Sequence, residues 1–196
     1  MKTAIIALAL ATAGLVAVPL SAHAQGPDKG GFFLNGSVGQ ANVDDGLYDD
    51  DDTAFGANFG YRWSVGPGAA FGIEGGYQNL GEWSPKASRV PSGTLAGKAE
   101  VKGWTAGVNG HFNVSDNWYI SGRAGLFRAD VTGDYLAAGV PAYVNDTSNK
   151  WYAGAGFGYD FSNNLSVGLA WDHYEVDRKN LDLNTDVISV TGEVRF

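Results

Sequence analysis

The chain has no cysteine, only three histidines and few basic residues for its length. Without cysteine, neither a disulfide framework nor a lipid-modified cysteine anchor is available. A formal net charge of −8 excludes the usual nucleic-acid-binding surface, which needs clustered lysine and arginine. Beyond the N-terminal segment, no run reaches the roughly 20 apolar residues that a membrane-spanning helix requires.

The N-terminal segment resembles a secretory signal peptide. Met1-Lys2-Thr3 is a short basic start, an apolar run continues to Leu20, and Ala22-His23-Ala24 is a small-x-small cleavage site. A membrane-spanning helix is the alternative, but the small-residue site favours cleavage. We therefore predict a signal peptide over residues 1–24 and one mature domain over residues 25–196. Export of a cysteine-free chain by such a leader indicates the envelope of a Gram-negative bacterium.

Alternation of apolar and polar residues dominates the rest of the sequence. In the last ten residues, Ile188, Val190, Gly192, Val194 and Phe196 share one face, and the residues between them are Ser189, Thr191, Glu193 and Arg195. This period of two is that of a β-strand with one apolar face. The pattern recurs in eight segments, which are residues 31–43, 55–64, 71–78, 101–112, 118–126, 151–161, 165–172 and 187–196.

The connections between these segments alternate between long and short. The long ones are predicted as loops at residues 42–52, 80–99, 129–149 and 173–186, and the short ones as turns at 64–68, 113–117 and 162–164. This pattern predicts an all-β, eight-stranded antiparallel up-and-down transmembrane β-barrel with short periplasmic turns. A soluble sandwich or lipocalin-like barrel would need large apolar residues inside. Here the strand face opposite the aromatic residues consists of small and charged side chains, which cannot form such a core. The apolar face is therefore expected to meet lipid.

Three segments carry a resemblance to a known family: 71–77 (FGIEGGY), 119–125 (YISGRAG) and 151–167. They resemble the OmpA-like transmembrane β-barrel family, which includes the OmpX/Ail-type and opacity-type surface proteins. The resemblance implies a location in the outer membrane, surrounded by outer-membrane lipids and lipopolysaccharide. We predict a monomer. It also implies that the terminal Phe196 is an assembly signal read by the barrel-assembly machinery.

The same resemblance suggests a comparison of lumen charges with those of OmpA. By position, Glu74 and Arg123 resemble two members of its lumen charge network. The later Glu and Arg of that network are replaced here by Gly158 and Gly168, and these small residues would leave more space in the lumen.

The charged residues on the polar faces of the strands are candidate lumen residues. They are Arg62, Glu74, Arg123, Asp172, Glu193 and Arg195. Two interpretations are open. Buried charges must be paired, and an eight-stranded barrel is only wide enough for side chains to fill, which gives a plugged lumen. Alternatively, the charges line a narrow pathway.

The long connections hold the other candidate sites. An acidic cluster, a candidate cation-binding loop, consists of Asp44, Asp45, Asp49, Asp50, Asp51 and Asp52. It lacks the ordered ligand spacing of an EF-hand, so a solvated acidic loop is the alternative interpretation. Candidate aromatic contacts for a host or cell-surface ligand are Tyr48, Trp83, Tyr135 and Tyr143.

Catalysis is not expected. Only His111 and His173 lie after the leader, and neither has a serine and an acid at the spacing of a Ser–His–acid site, so both are interpreted as interface histidines. No cofactor and no bound metal are predicted. The sequence therefore predicts an envelope-structural or surface-interaction role through the extracellular loops. The alternative is a narrow channel for ions or small solutes.

Overall fold

The computed structural model describes residues 30–45, 48–83, 94–137, 140–175, 177–178, 181–182 and 184–196. Side chains are described over 30–42, 52–82, 100–130, 149–175 and 184–196. The predicted leader, residues 1–24, lies outside the described residues. Among the described residues, no helix is long and apolar enough to cross a membrane.

Ten strands form within the described residues, and eight of them make up the barrel. Their bounds are β1 Gly31–Asp45, β2 Tyr48–Gly66, β3 Ala69–Trp83, β4 Thr94–Asn113, β5 Trp118–Ala137, β6 Val140–Asp160, β7 Leu165–Tyr174, β8 Asp177–Arg178, β9 Leu181–Asp182 and β10 Thr185–Arg195. The short strands β8 and β9 pair with each other in the connection between β7 and β10.

The barrel closes by pairing its first strand with its last. Each barrel strand pairs antiparallel with its sequence neighbour, and β1 pairs with both β2 and β10, for example through Gly36 with Ala57 and Gly192. Closure leaves no edge strand within the barrel wall. The predicted eight-stranded antiparallel up-and-down barrel is confirmed.

The two ends of the barrel differ. One end, which we name the turn end, carries the connections after Gly66, Asn113 and Asp160 together with the outer ends of β1 and β10. The other end, the hairpin end, carries the remaining connections. Strands β4, β5 and β6 extend far towards the hairpin end, whereas β7 stops at Tyr174 and β10 starts at Thr185.

Large apolar side chains cover the outer face of the barrel. Leu34, Phe59, Ile73 and Leu169 are between 50% and 60% exposed, although each lies in the middle of a paired strand. Exposed aromatic residues ring both ends of this band. At the turn end they are Trp63, Phe112, Trp118, Phe161 and Phe196, and at the hairpin end they are Trp104, Trp151 and Trp171. Such a band between two aromatic rings is the outer surface of a membrane barrel.

Three of the predicted loops are wrong over much of their length. Strand β1 continues to Asp45 and β2 starts at Tyr48, so much of 42–52 is paired strand. The predicted loops at 80–99 and 129–149 likewise contain the ends of β3 to β6, and the residues 84–93 lie outside the described part of the chain. Backbone pairing continues there because a hairpin ladder needs no apolar face once the strands leave the lipid.

Candidate functional site

The interior of the barrel at the turn end is held together by one charged cluster. The Arg195 guanidinium lies 3.0 Å from Asp160 Oδ1, and its Nη2 donates to Ser166 Oγ at 2.7 Å. Asp160 also accepts from the Ser166 hydroxyl at 2.5 Å, and its other oxygen lies 3.2 Å from His111 Nε2. The His111 ring stacks on Tyr119 with 4.1 Å between ring centroids. All five residues are at most 6% exposed, so this cluster fills the turn end.

A second ionic contact lies next to this cluster. Arg62 donates to both carboxylate oxygens of Glu193, at 2.5 and 2.9 Å, and its Nε donates to Asn109 Oδ1. Its guanidinium carbon lies 3.9 Å from the centroid of the Phe33 ring. Glu193 Oε1 is also 3.1 Å from Arg195 Nε. Glu193 therefore joins two arginines and connects this contact to the turn-end cluster.

The third ionic contact is centred on Arg123. Its Nε lies 3.2 Å from Glu74 Oε1 and 3.4 Å from Asp172 Oδ1. The Tyr152 hydroxyl donates to Glu74 at 2.8 Å, and the Arg123 guanidinium lies 4.9 Å from the centroid of the Tyr152 ring. Arg123 Nη2 reaches the Tyr174 hydroxyl at 3.5 Å. One guanidinium is thus shared between two buried carboxylates.

A small cavity separates the Arg62 and Arg123 contacts. Its volume is about 50 Å³, and its lining includes Asn58, Asn109 and Asp172. The amide nitrogens of both asparagines and Asp172 Oδ1 have no hydrogen-bond partner within the described residues. A cavity of this size with unpaired polar atoms is suited to a few water molecules.

An apolar layer closes the interior on the hairpin side of the Arg123 contact. It consists of Ala41, Ala54, Leu80, Val101, Phe127, Ala129, Tyr152, Tyr174 and Val187. Phe127 and Tyr174 pack edge to face at 5.1 Å, and Tyr152 and Tyr174 stack at 5.8 Å. These side chains are at most 6% exposed, so the layer is packed like the core of a soluble protein.

The structure places all six predicted lumen charges inside the barrel and gives each a partner of opposite charge. Two further interior residues, Asp160 and His111, were not among them. The interpretation of His111 as an interface histidine is wrong, since its side chain is buried against Asp160 and Tyr119. His173 does lie on the outer face, beside Trp151 and Trp171, and its Nδ1 is 2.8 Å from Asp186.

The extra lumen space expected at Gly158 and Gly168 is not present. A Cβ atom at either position would collide with the Tyr119 hydroxyl, which occupies this space. The glycines are needed so that the Tyr119 ring can lie across the inner wall. The sequence pattern that could have predicted this packing is the inward-facing Tyr119 on a strand that neighbours the inward-facing Gly158 and Gly168.

The candidate loop residues lie at the hairpin end, and most of their side chains are outside the described part of the structure. The backbone register pairs Asp44 with Asp49 and Asp45 with Tyr48. Trp83 ends β3, and Tyr135 and Tyr143 lie in the far parts of β5 and β6. Asp52 is described, and its carboxylate accepts from the backbone N–H groups of Thr53 and Glu82. Within the described residues, no three acidic or histidine side chains are grouped to hold a metal ion.

Comparison with protein families identifies the fold. The profile of the outer membrane protein beta-barrel domain matches residues 8–196. This chain belongs to that family. Its members are found in the outer membrane of Gram-negative bacteria, so the predicted outer-membrane location is confirmed. The search of curated proteins gave no match.

Solved structures of small outer-membrane barrels have the same fold. Neisserial surface protein A matches with a TM-score of 0.57 and 14% identity, over 84% of this chain and 97% of its own. Ail, the attachment invasion locus protein of Yersinia pestis, has a TM-score of 0.55 and 15% identity, over 85% of this chain and 99% of its own. OprG from Pseudomonas aeruginosa has a TM-score of 0.56 and 12% identity, over 87% and 99%. At such low identity the likeness shows the fold alone.

Proposed function

We propose that this outer-membrane barrel does not conduct and that its hairpin end carries its function, in an envelope-structural or surface-interaction role. One observation carries the proposal: the interior is filled while the strands extend far beyond the lipid-facing band. Strands β4, β5 and β6 have 20, 20 and 21 residues. A membrane needs only about 9–11 residues of strand, so roughly half of each strand is left for contacts outside the membrane.

The filled interior argues against the narrow-channel alternative. An ion crossing the barrel would have to separate Arg62 from Glu193 and Arg123 from its two carboxylates. It would then have to pass the layer around Phe127, where the described cluster is mostly aliphatic and aromatic and its two hydroxyl groups, those of Tyr152 and Tyr174, already contact Glu74 and Arg123. Separating buried ion pairs costs several kcal/mol per pair. The small cavity between the contacts does not remove these barriers.

The geometry of the two histidines gives no support to catalysis. A serine hydrolase needs a hydroxyl bonded to the imidazole. The Ser166 hydroxyl bonds to Asp160 and Arg195, and its neighbour His111 contacts Asp160 and Arg195 instead of the hydroxyl. His173 is held by Asp186 and lies between two tryptophans. We propose that the protein is not an enzyme.

The acidic first hairpin suggests the chemistry of the partner. Outer-membrane barrels place their short turns in the periplasm, so the hairpin end faces outward from the cell. Ail has been crystallised with a heparin analogue, sucrose octasulfate. In the present chain, the six aspartates at the tip of the first hairpin would repel such a polyanion. We propose a basic macromolecule as the partner, with Tyr48, Trp83, Tyr135 and Tyr143 as aromatic contacts. Cation binding by the aspartates stays a prediction.

A charge-matched binding experiment tests this function. The protein is placed in nanodiscs, and binding of polylysine and of heparin is measured at physiological salt. We expect saturable binding of polylysine and none of heparin, and a loss of roughly tenfold or more in affinity when Asp49, Asp50, Asp51 and Asp52 are changed to Asn. The control is Asp116→Asn, which removes an exposed charge at the turn end. Binding of heparin, or equal losses in the two variants, would overturn the proposed partner.

A further inference from the structure

An outward-facing polar pair interrupts the aromatic ring at the hairpin end of the barrel. His173 lies on β7 and Asp186 is its direct partner on β10. Their side chains are joined by a contact of 2.8 Å between His173 Nδ1 and Asp186 Oδ1, and they are 25% and 50% exposed. Both positions alternate with buried neighbours, namely Asp172, Tyr174, Thr185 and Val187, so the pair faces away from the lumen.

Two tryptophans flank this pair. The Trp151 ring lies 5.4 Å from the His173 ring at an angle of 40°, and the Trp171 ring lies 6.3 Å away at 33°. The indoles are 47% and 48% exposed. The backbone N–H of Glu175 donates to the Trp151 carbonyl at 3.1 Å, which fixes β6 beside the end of β7. We name Trp151, Trp171, His173 and Asp186 the rim site.

The chemistry of the rim site fits a polar group that lies beside an apolar one. Exposed aromatic rings provide flat apolar surface, and an imidazole whose Nδ1 is held by a carboxylate presents its Nε2 edge in a fixed orientation. Sugar rings combine apolar faces with hydroxyl groups and match this combination. Elsewhere on the same aromatic ring of the barrel, Trp104 packs against Tyr77 at 5.2 Å, and the polar pair on its face of β4, Lys102 and Glu100, contains no imidazole.

The position of the rim site identifies the occupant. Directly below it, the outer face continues with Phe157, Leu169 and Ile188, which are 48%, 60% and 59% exposed and belong to the lipid-facing band. Whatever lipid covers these residues must place its headgroup at the level of the rim site. Because the hairpin end faces away from the periplasm, the rim site lies at the level of the outer leaflet. In the outer membrane this leaflet holds lipopolysaccharide, whose headgroup is made of sugars.

We propose that the rim site binds the sugar headgroup of an outer-leaflet lipopolysaccharide molecule, with Trp151 and Trp171 against the sugar and His173 bonded to a polar substituent. Asp186 is a positioning residue that orients the imidazole. The acyl chains of the same molecule lie on Leu169 and Ile188. This inference does not depend on what the tips of the hairpins bind, since the rim site lies at their base.

Histidine labelling gives a direct test, because the mature chain holds one histidine at the rim site and one in the lumen. The protein is labelled with ¹⁵N-histidine, purified from outer membranes and placed in nanodiscs of phosphatidylcholine, with or without deep-rough lipopolysaccharide. We expect the His173 imidazole signals to shift saturably with lipopolysaccharide content, and the His111 signals to stay unchanged. Phosphatidylglycerol nanodiscs of equal charge should leave the His173 signals in place.

Two matched variants complete the test. Trp171→Phe keeps the apolar contact but reduces the flat surface, and we expect it to weaken the response of His173 to lipopolysaccharide severalfold. Trp104→Phe makes the same change elsewhere on the aromatic ring and should leave the response intact. An unchanged His173 signal, an equal response to phosphatidylglycerol, or equal effects of the two variants would overturn the proposal.

Discussion

Glu193 is an interior residue whose removal should destabilise the barrel strongly. Its carboxylate contacts Arg62 through two hydrogen bonds of 2.5 and 2.9 Å and Arg195 at 3.1 Å. The side chains of Arg62 and Glu193 are 5% and 7% exposed, so bulk water screens this contact little. The change Glu193→Gln keeps the size of the side chain but removes the charge that two guanidinium groups share.

The magnitude follows from the cost of an unpaired buried charge. Removal of one partner from a buried ion pair costs about 3–5 kcal/mol. Because Glu193→Gln keeps one hydrogen-bond acceptor, we expect a loss of about 3 kcal/mol in the free energy of unfolding. The measurement is reversible urea unfolding in lipid vesicles, followed by tryptophan fluorescence.

An exposed ion pair serves as the control. Lys102 lies 3.0 Å from Glu100, but these side chains are 37% and 30% exposed. Contacts between exposed charges contribute little to stability. Glu100→Gln should therefore leave the urea midpoint unchanged. A loss of less than about 1 kcal/mol in Glu193→Gln would show that the buried ionic contacts do not hold the interior together.

Three further predictions concern packing, orientation and processing. Gly168→Ala should destabilise the barrel by about 1–3 kcal/mol in the same assay, because a Cβ atom would collide with the Tyr119 hydroxyl. Gly192→Ala should not, because no atom lies within 4 Å of its Cβ position. Tyr119→Phe should reduce the destabilisation caused by Gly168→Ala, and equal effects at the two glycines would contradict this packing. Because the chain has no native cysteine, a single introduced cysteine reports its own accessibility. Asp50→Cys should react with an impermeant maleimide on intact cells, whereas Pro67→Cys should react only after the outer membrane is broken. The reverse result would show that the barrel has the opposite orientation. The intact mass of the protein purified from outer membranes should correspond to residues 25–196, and a retained N-terminal segment would contradict cleavage after Ala24.

The barrel wall was predictable because lipid and lumen act on alternate residues of every strand. Leu169 and Ile188 had to face lipid, and Asp172 and Glu193 consequently had to face inward. The alternation ends where a strand leaves the lipid, because both of its faces then meet water. For this reason the far parts of β4, β5 and β6 were predicted as loops, although their backbone pairing continues.

The pairing of the interior charges could not be predicted in the same way. Arg62 meets Glu193 because β1 joins β2 to β10, and the tilt and register of the closed barrel decide which side chains reach each other. Alternation places Asp160 on an inward face, but its partner Ser166 follows from the turn between β6 and β7, and its partner Arg195 follows from the pairing of β7 with β10. Likewise, Tyr119 fills the space beside Gly158 and Gly168 only because β5 lies beside β6 and β6 beside β7.

Single-channel conductance distinguishes a filled lumen from an open one. The protein would be refolded, its folded state verified by heat-modifiable migration, and inserted into planar bilayers beside Glu74→Gln and Arg123→Gln variants. We expect no discrete current steps from the wild-type barrel. Discrete steps whose size changes in either variant would show a conducting path past the Arg123 contact and would contradict the plugged interior.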